Sequence, residues 1–135
     1  RLRVQGFLSG YPTNSHIWIF WKAGISIDLF SMSDQFITIR VSVGVSVFFL
    51  TVLYSKWDAH ARVSLWEDLS TFNPGDSPWI VGGDFNIVAF PEERKCNGPF
   101  PRISSQDFVE FMANNGLLDA GYSGDPFTWS NNQGL

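Results

Sequence analysis

Eight consecutive residues, Val47-Phe48-Phe49-Leu50-Thr51-Val52-Leu53-Tyr54, are apolar or β-branched at every position. Successive side chains of a strand point to opposite faces, so this run is apolar on both and has no face for water. A strand of this kind belongs in the centre of its sheet. The residues before it supply neighbours. His16 to Trp21 is short, β-branched and aromatic, bounded by Pro12 and Asn14 on one side and Lys22-Ala23-Gly24 on the other, and is expected to be a buried strand. Ile25 to Phe30 reads as a second strand, and Phe36 to Val41 alternates as a third, half-buried one. Ser42 to Ser46 fits a hairpin connection into the apolar run.

Beyond Tyr54 the period changes. Asp58 is placed to cap a helix running to about Leu69, with Arg62, Trp66 and Leu69 on one face. Asn73 to Pro78 breaks it. Trp79-Ile80-Val81-Gly82-Gly83 is a strand ending in glycines, where backbone can turn sharply or approach a ligand. Ser104 with Asp107 has the spacing of a capping box for a second helix bearing Phe108, Phe111, Met112 and Asn115 on one face, closed by Gly116. Asp125-Pro126 is expected to open a last strand, Phe127 to Ser130. Hairpins followed by alternation with helices give an α/β (α+β) protein with a mainly antiparallel or mixed sheet.

With 135 residues, this is the length of one domain. Hydrophobic residues make up 44%, enough for a substantial core, and exclude intrinsic disorder. Nine Lys and Arg against thirteen Asp and Glu leave a formal charge of −4, which argues against holding nucleic acid by bulk charge. Cys96 is the single cysteine, so no internal disulfide can form. The opening residues lack a signal-peptide layout, and the most apolar stretch, Val41 to Tyr54, is interrupted by polar residues and shorter than the ~20 needed to span a bilayer. The chain opens on Arg1 without an initiator Met, and the expectation is a piece of a longer polypeptide.

Asp84 and Asn86, in Gly82-Gly83-Asp84-Phe85-Asn86, follow a strand end, where α/β proteins often bind ligands. An Asp that takes a proton from water beside an amide that holds water or a phosphate oxygen forms a hydrolytic pair. The plainer alternative is that both side chains only make the turn. Tyr54 and Arg62 could bind phosphate as a phenol and a guanidinium; equally, Tyr54 could cap the core and Arg62 pair with an acidic surface residue. His16 and His60 have no partner at metal-ligand spacing and read as structural or solvent-facing. Glu92-Glu93-Arg94-Lys95 reads as a solvated loop, and Cys96 lacks an activating His.

Taken in order, Ile17-Trp18-Ile19-Phe20-Trp21, Ser33-Asp34-Gln35-Phe36-Ile37-Thr38, Val52-Leu53-Tyr54, Arg62 with Leu65-Trp66 and Leu69, Pro78-Trp79-Ile80-Val81-Gly82-Gly83-Asp84-Phe85-Asn86, Gly116-Leu117-Leu118-Asp119 and Phe127-Thr128-Trp129-Ser130-Asn131 resemble the endonuclease/exonuclease/phosphatase superfamily. The form is that of plant non-LTR (LINE-type) retrotransposon endonucleases. The resemblance implies a four-layer sandwich of two mainly antiparallel, mixed sheets flanked by helices, incomplete here at both ends, so that residues 1–135 are the central part of one domain. It implies metal-dependent phosphodiester hydrolysis, usually with Mg²⁺, on DNA, in a nuclear protein that can carry a reverse transcriptase domain. Asp84 then acts on the attacking water, Asn86 positions water or phosphate, Tyr54 contacts the phosphate, and Trp129 walls the site.

The departures from that pattern bear on activity. The family's Gln-Glu, whose Glu holds the metal, is absent upstream of Trp18, and no Asp-His occurs anywhere in the chain. Each such group typically supplies ~10²–10⁴-fold, so the chain as it stands is expected to be inactive. The alternatives are a phosphatase of the same fold and a non-catalytic, decayed or domesticated remnant.

Overall fold

The computed structural model describes residues 4–95, 98–125 and 127. Six strands and two α-helices occur among them: β1 (Gly6–Ser9), β2 (Trp18–Trp21), β3 (Ile25–Met32), β4 (Phe36–Val43), β5 (Ser46–Tyr54), α1 (Ala59–Phe72), β6 (Trp79–Asp84) and α2 (Arg102–Asn114). The four-stranded sheet has the order β3-β4-β5-β6, and β1 pairs with β2 in a second, two-stranded sheet. Hairpins make β3, β4 and β5 antiparallel, while α1 carries the chain across so that β6 lies parallel to β5. The protein is thus α+β with a mixed sheet. No helix among the described residues is long and apolar enough to cross a membrane.

The double-sided apolar run behaves as its sequence requires: β5 sits between β4 and β6. On one face, Phe48, Leu50 and Val52 join Ile37, Ile39 and Val41 of β4, and they are covered by Leu8 and Ile19 of the small sheet and by Ile17 just before β2. On the other face, Leu53 and Phe36 meet Leu65, Trp66 and Leu69 of α1 and Phe108 and Phe111 of α2. Trp66 stacks on Phe108 and Phe111 with ring centroids 5.4 and 4.9 Å apart, which locks the two helices together. The described residues therefore form three layers, helices on sheet on sheet. Within the helical face one polar chain is buried: the Trp79 indole N–H donates to Thr51 Oγ1 at 2.9 Å, and Thr51 and Thr38 hydroxyls share a bond of 2.8 Å.

Helix α1 begins as expected, with Asp58 Oδ1 accepting from the Ala61 N–H at 2.9 Å. Three other expectations are corrected. The second helix starts at Arg102, two residues before Ser104, because the Pro101 carbonyl accepts the Ser105 N–H at 3.0 Å; neither Ser104 nor Asp107 caps it. Proline suits a helix entry because it has no N–H to leave unpaired. The strand read from His16 begins at Trp18, since Asn14 Oδ1 takes the N–H groups of His16 and Ile17 (3.0 and 3.2 Å) and holds them in a loop. Nor is that strand buried. Its partner β1, short and flanked by Gly and Ser, covers no second face, and Phe7, Trp18 and Phe20 stand exposed side by side. The Glu92–Glu93 stretch forms a single 3₁₀ turn that Glu93 closes by accepting the Ala89 N–H at 2.8 Å. Cys96, Trp129 and all but the first residue of the strand expected over Phe127 to Ser130 lie outside the described residues.

Candidate active site at the ends of the parallel strands

The parallel pairing of β5 and β6 puts Tyr54 directly opposite Asp84, thirty positions apart in sequence but neighbours at the carboxyl edge of the sheet. Two backbone-directed bonds hold this edge. The Ser55 N–H donates to the Asp84 carbonyl at 2.8 Å, and the buried Ser55 hydroxyl donates to the Phe85 carbonyl. Phe85 turns inward and packs on Phe108, ring centroids 5.0 Å apart, as an Asp-x-Asn alternation at a strand end predicts.

Asp84 and Asn86 also make the turn themselves. Asp84 Oδ1 accepts the Asn86 N–H at 2.9 Å, and Asn86 takes a left-handed conformation (φ 48°) that Asn tolerates better than most residues. The Asn86 amide donates to the Ser55 carbonyl at 2.6 Å. The turn-making and chemical roles are therefore not exclusive: the Asp84 carboxylate is exposed while one of its oxygens holds the turn.

Tyr54, Asn86 and the Ser55–Trp57 segment form one wall of a depression of about 260 Å³, with Asp34 and the Thr13–His16 loop of the other sheet opposite. Lys56 and Asp34 face each other as an ion pair at its edge. Two buried side chains set its shape. Gln35 accepts the Lys56 N–H and donates to the Ala61 carbonyl, both at 2.9 Å, tying the strand end to α1. Asn14 donates from Nδ2 to the Ser33 carbonyl at 3.3 Å while its oxygen holds the His16 loop. His16 then lies on the Tyr54 ring, centroids 4.7 Å apart and planes 27° from parallel.

Arg62 takes no part in this depression. It is buried, 4% exposed, and Nη1 donates to the carbonyls of Lys56 and Trp57 at 2.9 and 2.6 Å, pinning the β5–α1 loop. Burial lowers its pKa, opposed by the charges of Asp58 and Asp107. Its partners are backbone carbonyls of the β5–α1 loop rather than an acidic surface residue. His16 and His60 are both exposed, as a solvent-facing reading requires; His16 in addition lines the depression, whereas His60 stands on α1. In the sequence Ser55 carries no mark of its own, Asn14 stands only as the boundary of a strand and Gln35 only within a segment of the resemblance; their one local signal is a polar residue at the end of an apolar strand or before one. Trp129 lies outside the described residues. Among those residues no three His, Cys, Asp or Glu side chains come together as a metal would require. The chain matches no model of a known protein family and no curated protein.

Proposed function

We propose that this chain is the central part of a phosphodiesterase domain of the endonuclease/exonuclease/phosphatase type, with DNA as the substrate class of the retrotransposon endonucleases it resembles. The observation that supports this best is the pairing of Tyr54 with Asp84 at the ends of parallel β5 and β6, with Asn86 turned beside them. Side chains fixed at strand ends by backbone bonds are preorganised, which favours meeting the charge that develops on a phosphoryl oxygen. In this assignment Asp84 orients water and takes its proton, while Tyr54 and Asn86 hold the phosphoryl group and water.

Domains of this type work with Mg²⁺. The residues present here do not complete a site for it: the described residues bring no three potential donors together, and the sequence lacks the family's Gln-Glu and Asp-His. The roles given to Asp84, Tyr54 and Asn86 are therefore roles within the whole domain, not a hydrolysis carried out by residues 1–135 alone. The engagement of Asp84 in its own turn favours a second reading, a non-catalytic remnant in which the old site residues survive as turn residues.

Two measurements separate these. Sequencing the transcript outward from this segment tests whether the frame continues to a Gln-Glu upstream and a Ser-Asp-His downstream. The product of the whole frame is then assayed for nicking of supercoiled plasmid in Mg²⁺. Nicking that Asp84→Ala removes supports the phosphodiesterase; stop codons or frameshifts closing in on either side, or nicking indifferent to Asp84, overturns it.

A further inference from the structure

We infer that His16 is a ligand-binding residue of the same depression, donating a ring N–H to a phosphoryl group that Tyr54 also contacts. The inference rests on the phosphodiesterase reading above and adds to it a residue from the second sheet. His16 lies outside every motif segment that marks the resemblance.

Three observations carry it. First, His16 is exposed yet held. Its backbone N–H is taken by Asn14, itself 1% exposed and anchored to Gly10 and Ser33, so the ring's position is built from the loop upward. Second, the ring stacks on Tyr54, and both rings border the same depression. Third, the walls are rich in donors. Thr13, Ser15, His16, Tyr54 and Lys56 all carry N–H or O–H groups, and Asp34, the carboxylate facing them, is taken up by Lys56. A neutral imidazole has one N–H whichever tautomer it adopts, so the contact needs no added charge. The volume, about 260 Å³, is below the usual range for drug-sized ligands and leaves room for a phosphoryl group together with part of what it is esterified to.

The test is a titration of the full chain, followed by the aromatic ¹H–¹³C NMR signals of His16 and Tyr54. One arm uses inorganic phosphate and the other the dinucleotide thymidylyl-thymidine. Both ring signals are expected to move together and saturate; tighter saturation by the dinucleotide ties the site to a nucleic-acid diester, and tighter saturation by phosphate to the free anion. His16→Phe keeps a ring on Tyr54 but removes the N–H, and is expected to weaken binding about tenfold or more, as loss of one hydrogen bond to a charged group does. Tyr54→Phe serves as the comparison. If His16→Phe binds as tightly as wild type while Tyr54→Phe is weakened, the inference about His16 falls and the proposed function stands. Titration that moves neither ring in the wild-type chain overturns both, and this arm needs no variant to fold.

Discussion

Gly83 offers the sharpest test of the geometry that brings Tyr54 and Asp84 together. It sits opposite Leu53 in the parallel ladder, one pair before Tyr54 and Asp84, with φ at +135°. A Cβ built on it overlaps the Leu53 carbonyl oxygen and lies 2.9 Å from the Leu53 carbonyl carbon and nitrogen. Those are backbone atoms of a central strand and cannot swing aside. Gly83→Ala therefore incurs the strain of a disfavoured backbone region, about 1–3 kcal/mol. It also forces the last two pairs of the β5–β6 ladder apart, at about 0.5–1.5 kcal/mol for each hydrogen bond lost. A loss of about 4 kcal/mol is expected, a large share of a typical domain's 5–15. Gly82, one residue earlier, is the control, because a Cβ there meets nothing within 4 Å. Gly82→Ala should stay within about 1 kcal/mol of wild type. Urea denaturation of the two variants reads the difference: the Gly83→Ala midpoint should fall by about 2 M, with Gly82→Ala nearly unmoved. Equal midpoints would refute the close approach of β5 and β6 at this point, and with it the adjacency on which the candidate site depends.

Three further outcomes follow from named contacts. Thr51→Val leaves the Trp79 indole N–H and the Thr38 hydroxyl without their buried partner, and should lower stability by about 2–3 kcal/mol in thermal unfolding; an unchanged Tm would mean the bonds are not made. Arg62→Met removes two charge-assisted bonds to the β5–α1 loop and relieves part of the cost of burying the charge, for a net loss of about 3 kcal/mol or about 10 °C in Tm. Arg62→Lys should recover part of it, and an Arg62→Met protein of unchanged Tm that no longer binds phosphate would return Arg62 to a ligand role. Replacing Trp18 and Phe20 by Thr should reduce concentration-dependent light scattering, because these rings and Phe7 form an exposed apolar patch on a two-stranded sheet; undiminished scattering would locate self-association elsewhere.

The sequence by itself determined the elements whose cause is short-range. An eight-residue run with no polar face can only be a central strand, and β5 is one. Asp58 followed by apolar residues at helical spacing makes a capped helix, and α1 buries Arg62, Leu65, Trp66 and Leu69 as that spacing requires. The alternation that turns Phe85 inward was legible for the same reason. What the sequence left open was which partner each polar side chain finds. Arg62 shows its apolar-side spacing locally, but only the fold brings the carbonyls of Lys56 and Trp57 to its guanidinium. Pro101 displaced the expected helix start because its carbonyl, not a side chain, meets the Ser105 N–H. Tyr54 and Asp84 become neighbours through a parallel crossover, and His16 reaches Tyr54 only because a second sheet packs on the first. Periodicity and caps act over one or two turns of chain, whereas a site assembled from two strand ends and the loops beside them is decided by which apolar faces bury one another.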